Sequence, residues 1–132
     1  MAEGWHNDDY LILFDEESVP DLSRRYGIAT CIAGHEIVGL CGWDDFILRD
    51  GNGNLFRIPT VPLDAKYLEP LGFQIQPQQS QPDKRFARKV KWYVHPVVFG
   101  GDPSSETNMV WLSLEQHVEA VNWWNQKYKG QQ

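Results

Sequence analysis

Residues 35–59 read HEIVGLCGWDDFILRDGNGNLFRIP, and this stretch decides the fold. Three parts of it, residues 35–43, 46–49 and 55–58, are rich in the β-branched and aromatic residues that favour strands. The Gly/Asn cluster at residues 50–54 lies between the last two parts and has the residue types of a hairpin turn. The stretch therefore predicts consecutive antiparallel strands.

The flanking sequence supplies the remaining elements. Residues 10–14 (YLILF) form a short apolar run that predicts either a strand or a hydrophobic docking arm. Ser113 and Gln116 form a capping box at the start of a helix over residues 113–129. Apolar residues recur along one face of that helix: Leu114, Val118, Val121, Trp124 and Tyr128. The sequence predicts one α+β domain, residues 1–132, with a central antiparallel sheet and a C-terminal helix packed on it.

Charge is distributed unevenly along the chain. The net charge is −6, with a net of −7 in residues 1–66 (twelve acidic, five basic) and of +1 in residues 67–132 (six acidic, seven basic). An acidic half attracts a basic protein and disfavours general nucleic-acid binding. The residues expected to contact such a partner are acidic or offer an aromatic anchor: Asp8, Asp9, Asp15, Glu16, Glu17, Trp43, Asp44 and Asp45.

The motifs of metal, cofactor and catalytic sites are incomplete. Cys31, His35 and Cys41 do not match the ligand spacing of a common zinc site. Residues 50–61 open like a calcium loop but lack its Gly at the sixth position and its Glu at the twelfth. The sequence also lacks a nucleophile elbow, a phosphate-binding loop and a dinucleotide fingerprint. It therefore predicts no metal, no cofactor and no enzymatic activity.

An enzyme remains an alternative hypothesis. A small hydrolase would need His35, His95 or His117 beside a carboxylate. The neighbours Asp44 and Asp45 are expected on opposite faces of a strand, where they cannot form one acid–base pair. His117 is expected to pack along the edge of the core rather than to transfer protons.

Residues 84–93 combine basic and aromatic side chains, a pattern that can bind single-stranded nucleic acid. Because the chain as a whole is acidic, a solvated loop is the preferred interpretation, with no nucleic-acid partner. No apolar run approaches the ~20 residues of a membrane span. Residues 1–9 (MAEGWHNDD) lack the basic and apolar regions of a signal peptide, so we expect a cytoplasmic protein without a membrane partner.

Several C-terminal segments resemble a known family. Residues 95–103 (HPVVFGGDP), 108–112 (NMVWL), 115–117 (EQH) and 123–125 (WWN) are similar to the C-terminal region of bacterial SMI1/KNR4-type proteins, the SUKH superfamily. Residues 39–46 (GLCGWDDF) are compatible with the central sheet of that family.

This resemblance implies an immunity protein, which binds a toxin directly and neutralises it. Many such toxins are nucleases with basic surfaces, and the acidic half of this chain suits a partner of that kind. The expectation is therefore a catalytically silent protein that neutralises a toxin, with a nuclease domain as the expected partner. The alternative is a regulatory or scaffold module that binds proteins without any toxin.

Overall fold

The computed structural model describes residues 2–6, 9–42, 44–75, 83–85, 89–96 and 99–130. Its strands are β1 Ala2–His6, β2 Asp9–Leu13, β3 His35–Cys41, β4 Asp45–Asp50, β5 Leu55–Pro59, β6 Glu69–Pro70, β7 Val90–Tyr93 and β8 Met109–Leu112. Its helices are α1 Val19–Arg25, α2 Ile28–Cys31 and α3 Leu114–Gly130, with single 3₁₀ turns at Glu16–Ser18, Ala65–Tyr67 and Glu106–Asn108.

Strands β1 to β6 form one sheet in sequence order, each antiparallel to its neighbour. Helices α1 and α2 interrupt this meander between β2 and β3. Strands β7 and β8 pair separately as an antiparallel ribbon, and α3 follows β8. The predicted α+β architecture, with an antiparallel sheet and a packed C-terminal helix, is confirmed.

The apolar run at residues 10–14 is a strand and not a docking arm. It lies inside the sheet as β2, between β1 and β3, and Tyr10 and Leu11 are fully buried. Strand β1 was not predicted, because its sequence AEGWH has no alternating apolar pattern. It is held by pairing with β2, where Trp5 packs edge-on against Tyr10 with ring centroids 5.4 Å apart.

Gly39 permits the close approach of β2 and β3. A Cβ atom at this position would lie 2.4 Å from the carbonyl oxygen of Ile12, a distance that forces the strands apart. The pairing of β3 with β4 also shifts register between Ile37 and Gly39. At this irregularity the Ser23 hydroxyl of α1 accepts a hydrogen bond from the Ile37 amide at 2.9 Å, which anchors α1 to the sheet.

Helix α3 begins with the predicted capping box. The Ser113 amide donates to Gln116 Oε1 at 3.0 Å, and the Gln116 amide donates to Ser113 Oγ at 3.2 Å. Val118 and Val121 join the main core, which also contains side chains of the sheet, the ribbon and α1. None of the helices in the described part of the chain is long and apolar enough to cross a membrane.

The expectation that His117 lies along the edge of the core is wrong. Its side chain is fully buried, with Nδ1 2.8 Å from the Tyr26 hydroxyl and the ring edge-on to Trp92. Nε2 has no hydrogen-bond partner among the described residues. Because burial disfavours the charged imidazolium, the pKa of His117 is lowered to about 3.

Asn125 is the second buried polar residue of α3. Its Oδ1 accepts a hydrogen bond from the Leu63 amide at 2.9 Å, and its Nδ2 donates to the Thr60 carbonyl at 2.9 Å. One amide side chain therefore satisfies two backbone groups of the segment that follows β5. This contact fixes residues 60–63 against the helix.

Trp124 and Trp123 provide a matched test of the packing of α3. Trp124 is half-buried against the core and contacts the rings of His95 and Phe99, whereas Trp123 is 57% exposed. We expect Trp124→Ala to lower the free energy of unfolding by about 2–3 kcal/mol, and Trp123→Ala by under ~1 kcal/mol. Urea denaturation of both variants measures the difference, and equal losses would contradict the packing described here.

The buried His117 predicts a specific pH dependence of stability. Its pKa is lower in the folded state than its ordinary value of 6.5, so the unfolded chain binds a proton first as the pH falls. Stability is therefore lost below pH ~6.5, by about 2 kcal/mol between pH 7 and pH 5. Urea denaturation at both pH values should show this loss in the wild type and not in His117→Gln. An imidazole NMR signal of folded His117 that titrates near pH 6.5 would disprove the prediction.

Candidate functional site

A pocket of about 330 Å³ opens at the end of the sheet where β3 turns into β4. It combines two acidic residues, two aromatic residues and three prolines. The residues that line it are Asp44, Asp45, Pro59, Thr60, Val61, Trp92, Tyr93, Pro96 and Pro103. Their positions along the chain show that four separate segments converge here.

The floor of the pocket comes from the main sheet. Asp44 lies in the turn before β4, Asp45 is the first residue of β4, and Pro59 is the last residue of β5. Asp45 pairs directly with Pro59, and the Thr60 amide donates to the Asp44 carbonyl at 3.0 Å. The backbone pairing of the sheet thus fixes the separation of both acidic residues from the segment after β5.

The opposite wall comes from ribbon β7–β8 and the loop that joins its strands. Asn108 closes this loop, since its Oδ1 accepts from the His95 amide at 2.7 Å and its Nδ2 donates to the carbonyls of His95 at 3.0 Å and Asp102 at 3.2 Å. Gly101 lies so close to the His95 carbonyl oxygen that a Cβ atom would be 1.7 Å from it. The closed loop positions Pro96 and Pro103 at the pocket.

The expectation that Asp44 and Asp45 lie on opposite faces of a strand is wrong. Asp44 precedes β4 in a turn, where strand alternation does not apply, and both residues line the pocket. Arg57 pairs with Asp45 through Nη2 and through Nε at 3.1 Å. Asp44 is exposed at the surface, yet the pocket withdraws part of its hydration. This desolvation, together with the charge of Asp45, raises the pKa of Asp44, and Lys91 opposes the shift.

The aromatic side of the pocket has a cation near it already. The Lys91 ammonium lies over the Tyr93 ring, 5.5 Å from its centroid. Trp92 is buried, with its ring against His117. Aromatic faces attract cations through their negative charge distribution, so both the acidic and the aromatic residues of the pocket favour a positively charged group.

The predicted contact residues do not form one surface. Asp9 lies at the same end of the sheet as Asp44 and Asp45, because Leu11 pairs with Cys41 immediately before the β3–β4 turn. Asp8 and Trp43 lie outside the described residues. Asp15, Glu16 and Glu17 follow the other end of β2, so they lie at the opposite end of the sheet.

Several carboxylates of the acidic half are already neutralised. Arg49 binds Glu16 through both terminal nitrogens, at 2.6 and 2.9 Å, and also binds Glu36 at 2.6 Å. These bonds hold the pKa of Glu16 below its ordinary value. Glu17 forms no ion pair with any described residue, and it is exposed.

The three histidines of the hydrolase hypothesis are separated. His35 is bonded to the Ala33 carbonyl at 3.1 Å, His95 to the Phe99 carbonyl at 2.6 Å, and His117 to Tyr26. None of them is among the described residues that line the pocket with Asp44 and Asp45. An acid–base pair of histidine and carboxylate is therefore not assembled there.

A smaller recess of about 190 Å³ brings His35 close to Glu36, Arg49 and Asp50. Its carboxylates have structural partners, since Glu36 binds Arg49 and Asp50 accepts hydrogen bonds from the turn at Asn52 and Asn54. Among the described residues, no group of three or more His, Cys, Asp or Glu side chains is placed to hold a metal ion.

The sequence did not indicate that the residues of the pocket walls belong to a site. Trp92 and Tyr93 belong to the aromatic–basic stretch noted above, but their convergence with Asp44 depends on the ribbon crossing the end of the sheet. Pro59, Pro96 and Pro103 gave no functional signal.

Comparisons with known proteins give no match: no protein-family model, curated protein or solved structure matches this chain.

The unequal environments of the two aspartates predict opposite effects of the same substitution. Asp45→Asn leaves the half-buried Arg57 guanidinium without its main partner and should cost about 1–2 kcal/mol of stability. Asp44→Asn relieves desolvation and repulsion, so stability at pH 7 should be unchanged or slightly higher. Urea denaturation of both variants tests this, and a loss of equal size in Asp44→Asn would contradict it.

Proposed function

We propose that this chain is an immunity-type protein that binds a toxin domain with a basic surface and neutralises it, with a nuclease domain as the expected target. The pocket at the β3–β4 end of the sheet is the observation that carries the proposal. It places Asp44 and Asp45 beside Trp92 and Tyr93 in a recess with proline walls. Recesses that hold an anchoring side chain are typical of the centre of a protein interface.

The charge pattern supports a basic partner. The chain carries a net charge of −6, and residues 1–66 contribute −7. Such an excess speeds the encounter with a basic protein and repels nucleic acid. A nuclease surface that grips phosphates is basic for the same electrostatic reason, so carboxylates at this end of the sheet can occupy the place of the phosphates.

The resemblance to the SUKH superfamily supports the same proposal from a different direction. Its best-marked segments, residues 95–103 and 108–112, include the Asn108 loop closure and two of the three prolines that line the pocket, Pro96 and Pro103. Bacterial members of that superfamily neutralise toxins by direct binding. The segments that carry the resemblance thus adjoin the segments that carry the acidic side chains.

A regulatory or scaffold module without a toxin partner is the alternative. The two hypotheses differ in what the adjacent gene encodes. An immunity protein requires a secreted toxin next to it, and its co-expression should restore growth of cells that produce the toxin domain. Loss of that protection together with failure to co-purify with the toxin domain would favour the scaffold hypothesis.

The kinetics of toxin binding test which end of the sheet docks. Asp44→Lys and Glu17→Lys change the net charge equally, but at opposite ends of the sheet. We expect Asp44→Lys to slow association by about tenfold at low salt, and Glu17→Lys to slow it much less. Association of the wild type should also slow as salt rises toward ~0.15 M, where the screening length falls to about 8 Å.

Stopped-flow or surface-based kinetics with the toxin domain encoded by the adjacent gene give the measurement. Urea denaturation of the same variants is the control, since surface substitutions usually change stability by under ~0.5 kcal/mol. Equal association rates for wild type and both variants, with no salt dependence, would remove the electrostatic basis of the proposal.

A further inference from the structure

Asp44 is the carboxylate of the pocket that has no ion-pair partner among the described residues. Arg57 already holds Asp45, and no described basic side chain lies within ion-pair distance of Asp44. Asp44 also loses hydration to the pocket walls and faces the like charge of Asp45, and these two effects outweigh the favourable charge of Lys91. A cation that enters the pocket therefore gains a carboxylate partner and relieves a repulsion at the same time.

The rest of the lining selects among cations. Tyr93, which is partly exposed, provides aromatic surface, and Pro59, Pro96 and Pro103 provide apolar walls. The Lys91 ammonium already lies over the Tyr93 ring, so this ring accepts a cation, and an incoming guanidinium competes with Lys91 for it. The volume of about 330 Å³ is near the lower limit of ordinary ligand pockets. It suits one long side chain better than a large ligand.

These features favour guanidinium over ammonium. A guanidinium is planar, stacks on aromatic rings, and donates two parallel hydrogen bonds to a carboxylate. It is also more weakly hydrated than an ammonium ion, so it enters a partly apolar recess at lower cost. The proline walls can cover the methylene groups that carry it.

We infer that this pocket receives an arginine side chain of a protein partner, with the guanidinium bound by Asp44 and packed against Tyr93. That the partner is a protein rests on the proposed function. The chemistry of the pocket does not require this protein to be a toxin.

The test is an NMR titration of the isolated protein with N-acetyl-arginine amide. N-acetyl-citrulline amide is the matched control, since it has nearly the same shape and no charge, and N-acetyl-lysine amide tests selectivity. We expect saturable chemical-shift changes at Asp44, Thr60, Trp92 and Tyr93 with the arginine probe, and at least tenfold weaker binding of the other two. Asp44→Asn should weaken arginine binding about tenfold, whereas Glu17→Gln, at the opposite end, should leave it unchanged.

Three results would overturn the inference: equal binding of the citrulline probe, binding of the lysine probe as tight as that of arginine, or shifts spread over all acidic residues. Its failure is distinguishable from failure of the proposed function. A protein that neutralises its toxin but shows no arginine site contradicts this inference alone. A protein that binds the arginine probe at Asp44 but no toxin contradicts the proposed function and retains the pocket chemistry.

Discussion

The pocket depends on one buried amide side chain that links the last helix to the sheet. Asn125 of α3 holds the Thr60 carbonyl and the Leu63 amide, and Thr60 in turn donates its amide to the carbonyl of Asp44. A continuous series of hydrogen bonds therefore runs from the helix core to the acidic turn. Because buried backbone groups are costly to leave unpaired, this series gives the segment after β5 a single position. The floor of the pocket is fixed by α3 although α3 does not line it.

The opposite wall is fixed independently, by the loop of the ribbon. The backbone bonds of the ribbon continue to the Val94 amide, which donates to the Asn108 carbonyl, and the Asn108 side chain then binds the amide and the carbonyl of His95. Gly101 lies so close to the His95 carbonyl that any side chain at this position would clash with it. Trp124 of α3 packs against the rings of His95 and Phe99 in this loop. The ribbon and the main sheet thus meet through α3, and a recess remains between them at the β3–β4 end.

The sequence predicted the parts of this architecture that depend on local patterns. The hairpin around residues 50–54 and the capping box at Ser113 follow from turn chemistry and capping chemistry, which are local. Strand β1 was missed because its strand character comes from pairing with β2. His117 was misplaced because helical spacing shows which residues share a face, but not how deeply that face is buried. The meeting of Asp44 with Trp92 was unpredictable, because it depends on how a separate ribbon packs on the sheet.

Composition also overstated the acidic surface. The net charge counts every carboxylate equally, whereas the fold pairs many of them with arginine: Glu16 and Glu36 share Arg49, and Asp45 is held by Arg57. A carboxylate neutralised within the chain contributes little to a partner's encounter or to its binding. What distinguishes one acidic site from another is therefore the local balance of charge and hydration. Of the two carboxylates that line the pocket, Asp44 is the one that loses hydration without gaining an arginine partner, and this imbalance is the physical basis of the inferred arginine site.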